Sequence, residues 1–387
     1  VRKRTAALLL VFSLASLLAF VTLCLVRHPP MADLLVYRAE GAAVTRGSDL
    51  YGFTVTRWRL PATYPPFAAV LFVPATWLPV PALKAAFLAG NALLLATLIA
   101  LSARLAARPA PLPPPLLCAA AALALWLEPV FQTLLFGQIN LALTCLVLWD
   151  LTRPPTARGK GVALGIAAGV KLTPALFVPY LFLTGRRREA FTATAACTGT
   201  ALLGGLLLPS ASADFWTRRL YETGRVGKAW IVDNQSLQGL LARALGDPAP
   251  GLAWALPAAA VGAAGLWLAA RAGEDRHGIL LTAFTALLIS PISWSHHWVW
   301  CVPLLAVLLG EGRLGPAALT ATAFTARTFW LLPHEGDRDL HLPWWQQPLA
   351  SPYPLLGLAL LAWAAVRGRR PRQPVPSARI SSASTIR

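Results

Sequence analysis

The stretch that decides the fold is "TAALLLVFSLASLLAFVTLCLV", Thr5 to Val26, which contains no charged residue. A bilayer core about 30 Å thick takes roughly 20 apolar helical residues to cross, and this run meets that length by itself. Similar runs recur along all 387 residues, of which 56% are hydrophobic and 13% charged, with a mean hydropathy of +0.58. A soluble domain is thereby excluded in favour of a polytopic membrane protein. Backbone groups in lipid have to be paired within their own segment, so the expected class is all-α.

Working outward, "VRKR" before this run imitates a secretory signal. The run is too long for one and lacks a small-residue cleavage site before Pro29, so it is expected to be kept as the first span. The net charge of +18 comes from short clusters between apolar runs, as in "GRRRE" and "RGRRPRQ". Such clusters orient a membrane protein and argue against a nucleic-acid partner. The five cysteines stand singly in apolar segments, without the spacing of a disulfide frame or a zinc site.

About eleven or twelve transmembrane or re-entrant segments are expected: 6–26, 67–79, 82–103, 113–127, 131–150, 161–183, 190–208, 251–271, 278–293, 298–311, 314–332 and 353–366. Charge asymmetry is best served if 67–79 dips in without crossing and 161–183 is a hairpin broken at "VKLTP". Pro174 supplies the interruption, because it has no N–H to continue a helix. Both termini then face the cytoplasm of a multi-pass plasma-membrane protein. Three polar connections, 27–66, 209–250 and 333–352, face outside. One domain over 1–366 is expected, with a basic, disordered tail over 367–387.

Unusual residues concentrate in those connections. Asp33 follows the first span and Tyr37 lies at i+4 on the same helical face. A carboxylate there can act as general base towards a hydroxyl, or can simply be a solvated acid favoured by a helix N-terminus. "LPATYPPFAAVLF" puts Tyr64 at a stiff, proline-rich entrance suited to a groove edge. "EPVFQTLLFGQINLAL" places Glu128, Gln132, Gln138 and Asn140 among apolar neighbours, where they need partners or a hydrated cavity. Lys171, one of only five lysines, sits between apolar runs, where its charge fits a phosphate or snorkels to the interface.

In the second connection, Asn234 and Gln235 are amides able to reach sugar hydroxyls. "SPISWSHHWVW" brings Trp294 next to His296 and His297, one of which can face a groove and bond a phosphate. Adjacent histidines point to different faces of a helix, so they are a poor metal pair. The last connection adds Trp344, Trp345 and Gln346, read either as an interfacial belt or as part of one shared site.

Taken in order, "DLLVYRAEGAAVTRGSDLYG", "LPATYPPFAAVLF", "FGQINLAL", "GVKLTPALF", "VDNQSLQGLLAR", "SPISWSHHWVW" and "LHLPWWQQ" make the chain resemble glycosyltransferase family 87 over about residues 6 to 366. That resemblance implies a GT-C helix bundle with its active site on the outer face. It implies transfer of mannose, with inversion, from polyprenyl-phosphate-mannose to a glycolipid acceptor of the phosphatidylinositol mannoside or lipomannan type. Asp33 would then be the catalytic base, and Lys171, His296 and His297 would hold the donor phosphate. Tyr37, Tyr64, Gln138, Asn140, Asn234, Gln235, Trp294, Trp344, Trp345 and Gln346 would contact sugar. A metal-independent site without cofactor is expected, and no DxD pair stands near Asp33. The competing readings are another polyprenyl-phosphate sugar as donor, or transport of a lipid-linked sugar, though no internal repeat of the transporter kind is visible. Nothing in the sequence bears on the oligomeric state.

Overall fold

The computed structural model describes residues 3–107 and 110–368. The tail expected over 367–387 therefore lies, from residue 369 onward, outside the described residues. Every one of the twelve apolar segments contains helix. Among the described residues four helices are long and apolar enough to cross a membrane alone: Lys3–Arg27, Val80–Leu105, Arg187–Leu207 and Leu252–Ala270. Two bent pairs reach the same hydropathy together, Pro114–Ala124 with Glu128–Phe136 at 81° and Trp344–Ala350 with Pro352–Arg367 at 79°. Among the described residues the only sheet is the short antiparallel pair Thr54–Val55 and Leu60–Pro61.

The first span has the surface of a helix immersed in lipid. Leu8, Val11, Leu14, Leu18 and Leu25 are exposed, while Ser16 and Phe20 are buried. Ser16 explains that inward stripe: its hydroxyl donates to the Ala122 carbonyl at 3.0 Å and accepts from the Trp126 indole at 2.9 Å. The helix thus docks on Pro114–Ala124 through a hydrogen-bonded seam in an otherwise apolar contact.

Two expected irregularities are present. Segment 67–79 consists of Pro66–Leu71 and Val73–Thr76, too short to cross and packed against the helix Ala32–Arg46. Segment 161–183 breaks at Lys171, whose extended backbone (φ −147°, ψ 125°) separates Val162–Val170 from the turn starting at Thr173. Segment 131–150, read as continuous, is in fact divided: Glu128–Phe136 ends at Gly137 and a new helix starts at Asn140.

The helix carrying Lys171 is seated by glycines. Gly161, Gly165 and Gly169 fall four apart and face Arg187–Leu207. A Cβ on Gly165 would lie 2.3 Å from the Ala193 carbonyl oxygen, and one on Gly169 would collide with Thr200. Such a small-residue seam lets two backbones approach where lipid gives no hydrophobic drive to association. Gly165→Leu is expected to cost about 1–3 kcal/mol through overpacking and to lower the thermal midpoint in detergent. Gly199→Leu, on the open side of Arg187–Leu207, should leave that midpoint unchanged.

Candidate active site

The chain leaves the first span through Met31, a buried residue in the left-handed region (φ 49°), and starts the helix Ala32–Arg46. Asp33 stands in its first turn, where the helix dipole favours a carboxylate. Opposite, Gly137 (φ 71°) ends Glu128–Phe136 so close that a Cβ would lie 2.7 Å from the Leu34 side chain. Only glycine permits both that dihedral and that approach, and the turn brings the next residue, Gln138, onto the Asp33 helix.

Gln138 is the organiser of this corner. Its Oε1 accepts from the Tyr37 hydroxyl at 2.8 Å and from the Tyr64 hydroxyl at 3.3 Å, and those hydroxyls are 3.1 Å apart. With the oxygen so committed, the amide nitrogen is left for Asp33. Burial pushes the Asp33 carboxyl up to about 6, against the pull of the Gln138 amide and the Lys171 ammonium, while the charge of Asp233 pushes it further up. A base in that range is ionised near neutral pH yet basic enough to accept a proton.

Lys171 occupies the break in its segment, where its N–H closes the helix on the Ala167 carbonyl at 3.0 Å and its backbone turns extended. Its Nζ donates to Asn140 Oδ1 at 3.1 Å and to His297 Nε2 at 2.8 Å, and lies 5.6 Å from the Tyr64 ring centroid. An ammonium has three donors, so one remains for an anion. Asn140 in turn donates to the His296 carbonyl at 3.0 Å, tying the histidine segment to the lysine. The His296 ring is buried between Phe136 and His297, and among the described residues neither of its nitrogens has a partner.

These groups surround one cavity of about 890 Å³. Asp33, Tyr37, Tyr64, Gln138, Lys171, Trp294, His296 and His297 line it, and all three polar connections reach it. Asn140 borders a separate pocket of about 50 Å³ behind Lys171 and His297. Among the described residues no group of three or more His, Cys, Asp or Glu converges as a metal site.

Other expected contacts lie elsewhere. Asn234 is fully buried with its amide spent on backbone: Nδ2 donates to Ala229 and Pro291 at 2.8 and 3.1 Å, and Oδ1 accepts from Ser293 and Ser236 at 2.9 and 3.2 Å. Gln235 likewise donates to Val232 and Ala350 and accepts from Tyr353. Both amides fasten loops together and do not line the cavity. Trp344 and Trp345 are 85% and 56% exposed and, like Gln346, stand outside the cavity. From that part of the chain Trp330 and His334 reach the cavity instead. Asp233, which sequence reasoning passed over in favour of its two neighbours, also lines it. Its being an acid in an amide-rich outer connection was the available signal.

The clamp reading of Asn234 has a consequence for stability. Asn234→Ala strands the Ala229 carbonyl and the N–H groups of buried Ser236 and Ser293, at about 1–3 kcal/mol for each buried group left unpaired. The expected result is a large fall in thermal midpoint and poor recovery from membranes. Asn234→Asp should not rescue it, because a carboxylate cannot donate to Ala229 and Pro291.

The fold and the cavity define an integral-membrane protein with a polar chamber lined by a carboxylate, Asp33, and by Lys171 and His297. The chain belongs to glycosyltransferase family 87, whose sequence model matches residues 62–291. It is similar to the polyprenol-phosphate-mannose-dependent alpha-(1-2)-phosphatidylinositol mannoside mannosyltransferase of Mycobacterium tuberculosis, 36% identical over 90% of this chain and 86% of the relative. The protein of the same description from Mycolicibacterium smegmatis is 36% identical over 84% and 82%. The corresponding phosphatidylinositol pentamannoside mannosyltransferase of M. tuberculosis is 32% identical over 96% and 90%. No solved structure matches the chain.

Proposed function

We propose that the protein transfers mannose from polyprenyl-phosphate-mannose to a hydroxyl of a phosphatidylinositol mannoside or related glycolipid, on the outer face of the plasma membrane. Residues 1–366 act as one domain, with both termini in the cytoplasm. The observation that carries the reading is that Asp33 and the Lys171–His297 pair line the same cavity.

In that reading the donor phosphate rests against the remaining N–H of Lys171 and against His297, with unpartnered His296 completing the cradle. Asp33 accepts the proton of the acceptor hydroxyl as its oxygen forms a bond to the anomeric carbon. The bond from that carbon to the phosphate oxygen breaks, and its electron pair leaves with the polyprenyl phosphate. One displacement inverts a β-linked donor into an α-linked product. The departing phosphate is stabilised by charge already in place and needs no proton from the protein. Gln138 holds Asp33 and is itself held by Tyr37 and Tyr64, and the three border the sugar.

The test is transfer of radiolabelled mannose from polyprenyl-phosphate-mannose to phosphatidylinositol mannosides by purified protein in detergent, with polyprenyl-phosphate arabinose and glucose as rival donors. Mannose transfer that persists with a chelator is the expected result. Transfer of arabinose or glucose in place of mannose would reassign the donor. Turnover in micelles, where there is no second compartment, would exclude transport as the sole activity.

A further inference from the structure

We infer that Asp233, with Trp294 beside it, forms the subsite for the acceptor's terminal sugar and binds a hydroxyl next to the one that reacts. This rests on the proposed transfer reaction and assigns a role to a residue which that reaction does not itself require.

Residues around 233 and 294 pair as a short antiparallel ladder, in which Gln235 N–H donates to the Ser293 carbonyl at 2.9 Å, Ser295 N–H donates to the Asp233 carbonyl at 2.9 Å, and Asn234 bridges Trp294. Asn234 is buried in the protein, where its four hydrogen bonds lock the bridge, while Asp233 and Trp294 line the cavity. The result is a rigid mount for one carboxylate and one indole on the cavity wall, the sort of support a positioned site needs.

Asp233 Oδ1 receives the Ser295 N–H at 3.2 Å, and the Ser295 hydroxyl also approaches the carboxylate. A carboxylate has about four acceptor sites, so these contacts leave some open, and among the described residues no ion pair involves Asp233. Burial pushes this carboxyl up to about 6, so near neutral pH it is an anion with an open acceptor position. A ligand hydroxyl satisfies that position, whereas a phosphate would be repelled.

Asp233 lines the same cavity as Asp33, and its charge is felt by the Asp33 carboxyl. Asp233 is thus a neighbour of the group that takes the acceptor's proton in the proposed reaction. In a displacement that proton comes from the incoming hydroxyl, so a carboxylate beside the base meets the hydroxyls next to the reacting one. The cavity of about 890 Å³ has ample room for a second sugar there, because ligand pockets of about 300–1,000 Å³ commonly hold whole drug-sized molecules. Trp294 offers an amphipathic face for that sugar.

The experiment compares wild type with Asp233→Asn, which keeps the acceptor for Ser295 N–H and loses the charge. Binding of a phosphatidylinositol mannoside and of polyprenyl-phosphate-mannose is titrated separately by intrinsic tryptophan fluorescence, and transfer is followed across pH. The expected result is an acceptor Kd and KM raised about tenfold or more, donor affinity unchanged, and the acid limb of the rate profile moved to lower pH because a charge beside Asp33 has gone. Acceptor analogues lacking a hydroxyl next to the reacting one should bind wild type more weakly and Asp233→Asn no more weakly than the parent acceptor. An unchanged acceptor Kd, or deoxy analogues that discriminate equally in both proteins, would overturn the inference. A wild type that binds the acceptor but transfers no mannose would sink the proposed reaction instead, leaving the binding comparison to decide the subsite.

Discussion

Asp33→Asn should reduce mannose transfer by about 1,000-fold while leaving donor affinity unchanged. General-base assistance is worth about 100- to 10,000-fold, and asparagine keeps the shape and the contact with Gln138 but cannot take the proton. Because burial holds the carboxyl up at about 6, wild-type kcat/KM should fall tenfold per pH unit below that value and level off above it, and the variant's residual rate should lack this limb. Linkage gives a second, independent reading. A carboxyl raised in the folded state binds more protons than in the unfolded chain between about pH 4 and 6, so wild-type stability declines as pH rises through that window. Asp33→Asn should therefore raise the thermal midpoint in detergent at pH 7.5, and the gain should vanish below about pH 4. A variant that loses activity and stability together would identify Asp33 as a structural acid and not a base.

How much of this was legible beforehand depended on what each residue contradicted. Asp33, Lys171, Gln138 and the two histidines are polar groups in or beside apolar runs, and burial without a partner is costly enough that each had to be committed to something. That they meet is visible only in three dimensions, because they come from four separated segments. The break at Lys171 could be anticipated because Pro174 and a charge coincide there. The break at Gly137 could not, since one glycine in an apolar run is tolerated within helices as often as it ends them.

The misplacements have one physical cause. In "VDNQS" the amides Asn234 and Gln235 were the candidates and Asp233 was passed over, yet the local backbone sends Asp233 to the cavity while Asn234 and Gln235 turn inward as clamps. Composition cannot choose among neighbours when the deciding quantity is which way each side chain turns. Trp344 and Trp345 were credible sugar platforms by type, yet the loop leaves them exposed, and Trp330 is the one fixed at the cavity by its indole hydrogen bond to Glu128 at 3.0 Å. That bond also answers what partner Glu128 needed: its second oxygen accepts from the Tyr353 hydroxyl at 2.8 Å.

Lys171 carries the other large effect. Lys171→Gln should lower kcat/KM for the donor by about 10- to 100-fold, since hydrogen bonds to charged groups contribute about 1.5–3 kcal/mol and each 1.36 kcal/mol is about tenfold in rate. The loss should appear in both KM and kcat, because phosphate charge is present in the bound donor and grows as the bond to the sugar breaks. Lys171→Arg should recover little of it. The ammonium is held by Asn140 at 3.1 Å and His297 at 2.8 Å, and a planar guanidinium in that niche cannot keep both contacts while aiming a donor at the phosphate. Its extra bulk must also be absorbed beside a helix whose glycine seam leaves no room to shift. If Lys171→Arg worked as well as wild type, a diffuse positive charge would be sufficient and the lysine–histidine–asparagine geometry would be incidental. If Lys171→Gln lowered only expression, the charge would serve assembly and not the donor. Measuring donor Kd alongside kcat separates the three cases.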